Sequence, residues 1–167
     1  MVKIYLMMEL LGFMDKVGFE VLNKQWHPTK NDKTIFDYKP MSDKKVWWKC
    51  DVADDHEWEA VIGSRTQGRG CPYCANKKVS KSNCLAVLYP KLVKEWHPSK
   101  NKKGPEEYVF GSHTKVWWKC DVADDHEWET KIVVRTTMGR KCPYCSNHKL
   151  SASKSFENLY PELAKQW

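Results

Sequence analysis

The chain has 167 residues and a formal net charge of +7, with a pI near 9.0. That balance is compatible with nucleic acid or another acidic partner, and equally with a lysine-rich surface. Seven cysteines, an odd number, together with no secretory leader, disfavour a disulfide scaffold and favour a reducing, intracellular setting.

Residues 1–13 are apolar, but Glu9 and Asp15 interrupt or flank the run. It lacks a small-residue cleavage site and is too short to span a bilayer, so no membrane partner is expected. Residues 1–25 are read as an N-terminal helical segment. It ends in an aromatic-x-x-Leu-x-Lys-[Gln/Glu]-Trp pattern, Phe19 to Trp26, which returns at Tyr89 to Trp96 and at Tyr160 to Trp167. Trp26-His27-Pro28-Thr29-Lys30-Asn31 likewise returns as Trp96-His97-Pro98-Ser99-Lys100-Asn101.

The string KVWWKCDVADDHEWE then fills residues 45–59 and, unchanged, 115–129. A Cys-Pro-Tyr-Cys follows each copy, at 71–74 and 142–145. The period of about 70 residues means two small modules, at 26–80 and 96–151. Linking helices are expected at 81–95 and C-terminal helices at 152–167. Units of this size usually need a metal or disulfides to be stable.

Within each module, Val46-Trp47-Trp48 signals a strand, 57–65 a second strand, and 51–55 the turn between them. Alternation puts Val46, Trp48 and Cys50 on one face, and Lys45, Trp47 and Lys49 on the other. His56, Trp58, Ala60 and Ile62 form the matching inner face. Lys49 should lie opposite Glu57, and Trp47 opposite Glu59. After each Cys-Pro-Tyr-Cys, Leu85, Leu88, Leu92 and Trp96 fall at helical spacing, as do Phe156, Leu159, Leu163 and Trp167. Pro90 and Pro161 should each begin a second short helix. Ser82 or Asn83, and Ser153, are candidate N-caps. His27-Pro28 and His97-Pro98 should close the helices before them. Trp167 falls where a third His-Pro is due, which leaves a natural end and a fragment of a longer array both open.

Cys50, His56, Cys71 and Cys74 recur as Cys120, His126, Cys142 and Cys145. The spacing is C-x5-H-x14-C-x2-C, then C-x5-H-x15-C-x2-C. Three thiolates and an imidazole suit tetrahedral structural zinc, so two Zn²⁺ ions are expected, one per module. A redox pair and buried free thiols are the alternatives. Cys84, His113 and His148 do not repeat and are not ligand candidates. His27 and His97 do repeat, as second-sphere groups, hydrogen bonders at helix ends or ligands.

The W-H-P-x-K-N, W-W-K-C, H-E-W, R…G-R and C-P-Y-C set resembles a family of zinc-ribbon or treble-clef zinc-finger domains. Such repeats are often found in tandem in bacterial and large-DNA-virus proteins, some beside endonuclease-like domains. The resemblance covers 26–74 and 96–145. It implies a small α+β fold of two zinc-stabilised modules joined by short helices, with the same eight ligands. Nucleic-acid binding is the function it implies.

Two surfaces compete for a nucleic acid. Lys45-Trp47-Lys49 could stack bases, though Trp47 and Trp117 equally suit packing. The loops around Cys-Pro-Tyr-Cys carry Arg65, Arg69, Lys77 and Lys78, and in the second copy Arg135, Arg140 and Lys141. No carboxylate lies between Arg65 and Lys81, and arginines with free N–H groups suit phosphate oxygens. A solvated loop wrapping the metal is the plainer alternative. The expectation is a non-catalytic protein that binds nucleic acid, DNA before RNA. A protein adaptor is the alternative, and a domain targeting an endonuclease a second one. His27 with Asn31 tempts a nuclease reading, but both precede the hairpin.

Overall fold

The computed structural model describes residues 18–166. The expected helical segment 1–25 is thus described only from residue 18 on. The chain divides into two compact units, with the boundary between Ser82 and Asn83. No helix among the described residues is long and apolar enough to cross a membrane.

The first unit opens with helix α1, Phe19–Lys24, which buries Leu22 completely. The helix stops before Trp26 because that residue forms an isolated antiparallel bridge with Trp48. Strand β1, Lys45–Lys49, pairs antiparallel with β2, Glu57–Val61. Trp48 faces Trp58, Lys49 faces Glu57 and Trp47 faces Glu59, the register read from the sequence. Val46, Trp48, Cys50 and Trp58 are buried, so the inner face is also the one expected. The other edge of β1 is covered from upstream. The Lys49 N–H donates to the Gln25 carbonyl at 2.8 Å, and the His27 N–H to that of Trp47 at 3.2 Å. Covering an edge removes a template for stray pairing.

The core of this unit is Leu22, Ile35, Val46, Trp48, Trp58 and Ile62, closed by Cys50 and Cys71. Trp26 meets Trp48 edge-on, with centroids 5.3 Å apart at 83°. A fully buried indole removes up to about 250 Å² from water, which at roughly 25 cal/mol per Å² contributes at most about 6 kcal/mol. Trp48 and Trp118 are both 0% exposed, so they dominate their small cores.

The second strand is shorter than the sequence indicates. It ends at Val61, and Ile62–Thr66 forms a helical turn, α2. The Ile62 N–H still donates to the Lys44 carbonyl, but the next N–H, of Gly63, reaches back to Ser42. The ladder therefore runs out at Lys44. The Thr66 hydroxyl then donates to the Pro40 carbonyl at 2.8 Å and pins the turn.

The second unit repeats this plan. Helices α3, Leu85–Leu88, and α4, Pro90–Val93, precede β3, Lys115–Lys119, and β4, Glu127–Lys131, and then α5, Ile132–Thr136. Leu85 is wholly buried against Val116, Trp118, Trp128 and Ile132, with Tyr89, Leu92 and Trp96 alongside. The stretch that looked like linking helices thus packs into the module that follows it. Leu88, at 46% exposure, leaves the apolar face. Tyr89, at φ −132° and ψ 56°, redirects the chain, and Pro90 starts α4 at its first position. Pro161 does the same for α7, Pro161–Ala164, after α6, Phe156–Leu159.

The helix caps differ from expectation. Cys84 precedes α3 and makes no side-chain cap. Ser155, not Ser153, caps α6, accepting from the Asn158 N–H at 3.3 Å. Ser82 and Ser153 are engaged elsewhere, as described next.

Candidate metal centre

Cys50 directly follows β1 and His56 directly precedes β2. The Cys50 N–H donates to the His56 carbonyl at 2.9 Å, closing the turn and setting the two side chains on the inner face. The other two ligand candidates come from the Cys-Pro-Tyr-Cys knuckle. Its chain reverses because the Lys77 N–H donates to the Pro72 carbonyl at 2.8 Å and Asn76 takes φ 52°. Asparagine tolerates this left-handed conformation better than most residues. Asn147, at φ 56°, does the same in the second unit.

The knuckle brings the four groups together. His56 Nδ1 lies 3.7 Å from Cys71 Sγ and 3.5 Å from Cys74 Sγ, and Cys50 Sγ lies 3.6 Å from Cys74 Sγ. In the second unit His126 Nδ1 lies 3.8 Å from Cys142 Sγ and 3.5 Å from Cys145 Sγ, and Cys120 Sγ lies 3.7 Å from Cys145 Sγ. All four ligand atoms of each unit lie within 4.8 Å of one another. Tetrahedral zinc, with Zn–S near 2.3 Å and Zn–N near 2.0 Å, puts neighbouring ligands about 3.5–3.8 Å apart. The two Cys3His sites therefore fit two zinc ions, one per module.

The electrostatics agree. Burial, chiefly, pushes the Cys74 thiol up to about 12 and the Cys120 thiol up to about 11, with neighbouring thiols adding to it. Burial also raises Cys71. Crowded thiols of this kind ionise together only beside a cation, which a bound dication supplies.

The imidazole is held on one face and at its outer edge. Tyr73 stacks on His56, and the His56 Nε2 lies 3.1 Å from the Ser82 hydroxyl. Asp55 accepts from Ser82 N at 2.9 Å and Oγ at 2.7 Å, which brings its carboxylate to the same edge of the ring. In the second unit the His126 Nε2 lies 3.2 Å from Ser151 Oγ, while Asp125 accepts from Ser153 N and Oγ, both at 2.8 Å. Outer partners of this kind fix the ring so that Nδ1 faces the metal. These serines went unread as ligand supports. The signal was present: a Ser-x-Ser at 80–82 and 151–153, at one offset from each Cys-Pro-Tyr-Cys.

His27 and His97 belong to neither ligand group. His27 Nδ1 accepts from the N–H groups of Thr29 and Lys30, which leaves the ring proton on Nε2, 3.2 Å from Glu57. His97 repeats this against Glu127 at 3.0 Å. Asn31 clamps the backbone of Trp47, accepting from its N–H at 2.9 Å and donating to its carbonyl at 2.8 Å. Lys30 covers the Trp47 ring at 4.4 Å, and Lys100 covers Trp117 at 4.5 Å.

The basic residues divide into two groups. Arg69, Lys77, Lys78, Arg140 and Lys141 are exposed around the knuckles. Arg65 and Arg135 are not, at 2% and 5% exposure. The shortened strand explains this correction, since α2 and α5 swing their arginines inward. Arg65 lies over Trp48 and Trp58, and Arg135 over Trp118 and Trp128. Neither guanidinium is presented to a ligand in solvent.

A short antiparallel hairpin, a Cys-x-x-Cys knuckle and a closed Cys3His site define a small structural zinc module, here present twice. The sequence model of the family described as probable treble clef zinc finger domain matches residues 22–77 and 92–148. The chain belongs to that family. Comparison with curated proteins gives no match.

Proposed function

We propose that the two modules bind nucleic acid, DNA in preference to RNA, through the exposed basic loops that wrap their metal sites, and that the chain is non-catalytic. The observation that carries this reading is the placement of Arg69, Lys77 and Lys78 on one exposed loop. In the first unit they border an open groove of about 550 Å³ beside β2, lined also by Gly68, Gly70 and Pro72. Arg140 and Lys141 are exposed at the matching loop of the second unit. The acidic turn of the first unit is partly neutralised: Asp51 pairs with Lys24 at 3.0 Å and Asp54 with Lys49 at 3.3 Å. Two linked modules that fit one strand gain roughly 10²–10⁴ in avidity over one. His27 Nδ1 accepts from the Thr29 and Lys30 N–H groups and Asn31 clamps the Trp47 backbone, structural roles that support a non-catalytic reading. Such a pair of modules could still direct an endonuclease carried on another domain or chain.

The test is binding of zinc-loaded protein to labelled single- and double-stranded DNA across a salt series. A variant with Arg69, Lys77, Lys78, Arg140 and Lys141 changed to alanine is run beside it. Affinity should fall linearly in log–log, and the variant's slope should be shallower by roughly 0.7–0.9 for each lost phosphate contact. No binding at low salt would overturn the reading. A protein adaptor is then favoured by one observation: Phe156, Leu159, Tyr160 and Leu163 of the last helices are each more than half exposed.

A further inference from the structure

The two metal centres share their ligands but not the charges around them. In the first unit the Arg65 guanidinium sits 5.1 Å from the Trp48 centroid and 5.4 Å from that of Trp58. Those indoles neighbour Cys50 and His56 on the inner face. Its hydrogen bonds go to the Gln25 side-chain carbonyl and the Arg69 backbone carbonyl, both neutral. In the second unit Arg135 is placed alike, but its Nη2 lies 2.8 Å from the Glu95 carboxylate. Positions 25 and 95 are equivalent, each immediately before the tryptophan that bridges the first strand.

A closed site of Zn²⁺, three thiolates and a neutral imidazole carries a net charge of minus one. Arg65 has no carboxylate within ion-pair distance among the described residues, so the metal centre is its counter-charge. Arg135 already has one in Glu95. Burial works against the charge on Arg65, and the thiolate charges of Cys71 and Cys50 work for it.

The same substitution acts a second time. The Gln25 amide also donates to Asp51 at 3.2 Å, and Lys24 pairs with that carboxylate. A glutamate at position 95 has no N–H to offer, and Asp121 instead faces the Cys120 sulfur at 3.9 Å. Asp55 and Asp125, and Lys49 and Lys119, occupy matching places in both units, so their effects cancel in the comparison.

We infer that the Gln25/Glu95 difference makes the second centre the more electron-rich of the two, so that its thiolates react first with electrophiles and its zinc is released first. A nearby uncompensated cation withdraws electron density from a thiolate and lowers its nucleophilicity, while a paired one does so far less.

The test is limited alkylation of the zinc-loaded protein with iodoacetamide. The thiolate sulfur attacks the methylene carbon, iodide leaves and a thioether forms. Zinc release is followed with a chelating dye, and the modified cysteines are assigned by peptide mass spectrometry. Cys142 and Cys145 should be modified severalfold faster than Cys71 and Cys74. Glu95→Gln should slow the second centre severalfold, and Gln25→Glu should speed the first. In the variant arms each protein is compared with its parent at the same cysteines, so differences in exposure enter only the comparison between the two centres. Should Glu95→Gln loosen the fold by circular dichroism, Asp121→Asn should still slow the second centre. Equal rates at both centres, or rates unmoved by these variants, would overturn the inference.

Discussion

Tyr73 lies flat against His56, ring centroids 5.0 Å apart at 18°, while its hydroxyl donates to the Glu57 carbonyl at 3.0 Å. Tyr144 and His126 repeat this at 5.0 Å and 14°. The tyrosine of Cys-Pro-Tyr-Cys thus ties the knuckle to the hairpin through the histidine that both need. Tyr73→Phe keeps the stack and loses one hydrogen bond, an expected cost of about 1 kcal/mol in the first unit. Tyr73→Ala also loses the stack and should cost about 2–4 kcal/mol. Denaturant titration of the zinc-loaded variants measures both. Equal costs would show that the ring contributes nothing beyond its hydroxyl.

Ser82 and Ser151 support the two imidazoles from non-equivalent places in the Ser-x-Ser repeat. Ser82→Ala should weaken zinc binding at the first centre about 10–100-fold and leave the second unchanged. Ser151→Ala should do the reverse. Competition with a chromogenic chelator resolves the two affinities. A uniform effect on both centres would refute the assignment.

The ligands and the hairpin register were legible because two copies fixed them at once. Cys50 and His56 share a face with Trp48 and Trp58 by alternation alone, and the pairing of Lys49 with Glu57 follows from the turn length. The end of β2 was not legible, since the second copy carries Ile132-Val133-Val134, a strand-like run, where the first has Ile62-Gly63-Ser64. It ends because its partner runs out at Lys44, a tertiary fact. Arg65 and Arg135 were misplaced for the same reason. A strand that continued to residue 65 would have left them at a loop, whereas one helical turn buries them.

Zinc should carry most of the stability of each unit. Structural zinc in such small modules is worth roughly 10–16 kcal/mol, against about 5–15 kcal/mol for a whole domain. Stripping with a strong chelator should abolish the near-UV circular dichroism. The pH dependence follows from the thiols, which burial raises to about 12 at Cys74 and about 11 at Cys120. Without metal, a raised thiol stabilises the fold below the ordinary value near 8.5 and loses that contribution as pH rises through the raised one. With metal the sign reverses, because zinc takes the thiolates and protons compete with it. Apparent zinc affinity should therefore fall steeply from about pH 8 to about pH 6, with up to three protons released per ion bound. Calorimetry in buffers of different ionisation enthalpy counts them. A metal-free sample with full tertiary signal would refute the first expectation, and an affinity flat with pH the second.

Arg65 and Arg69 lie four residues apart and should behave as opposites. Arg65 is buried over Trp48 and Trp58 and reaches Gln25 and the Arg69 carbonyl. Arg65→Ala leaves a void against two indoles and frees both acceptors, so it should destabilise the first unit by about 2–4 kcal/mol. Any loss of nucleic-acid binding in that variant would follow loss of fold. Arg69 is exposed, and its backbone rather than its side chain supports the arginine behind it. Arg69→Ala should therefore change stability by less than about 0.5 kcal/mol, as surface substitutions usually do. Its effect should appear in the salt dependence of DNA binding, as a slope reduced by roughly one contact. Thermal unfolding and salt titration of the two single variants separate these roles. If Arg65→Ala kept full stability, the buried stack would not be the role of that residue. If Arg69→Ala left the slope unchanged, the loop would not be the surface that meets phosphate.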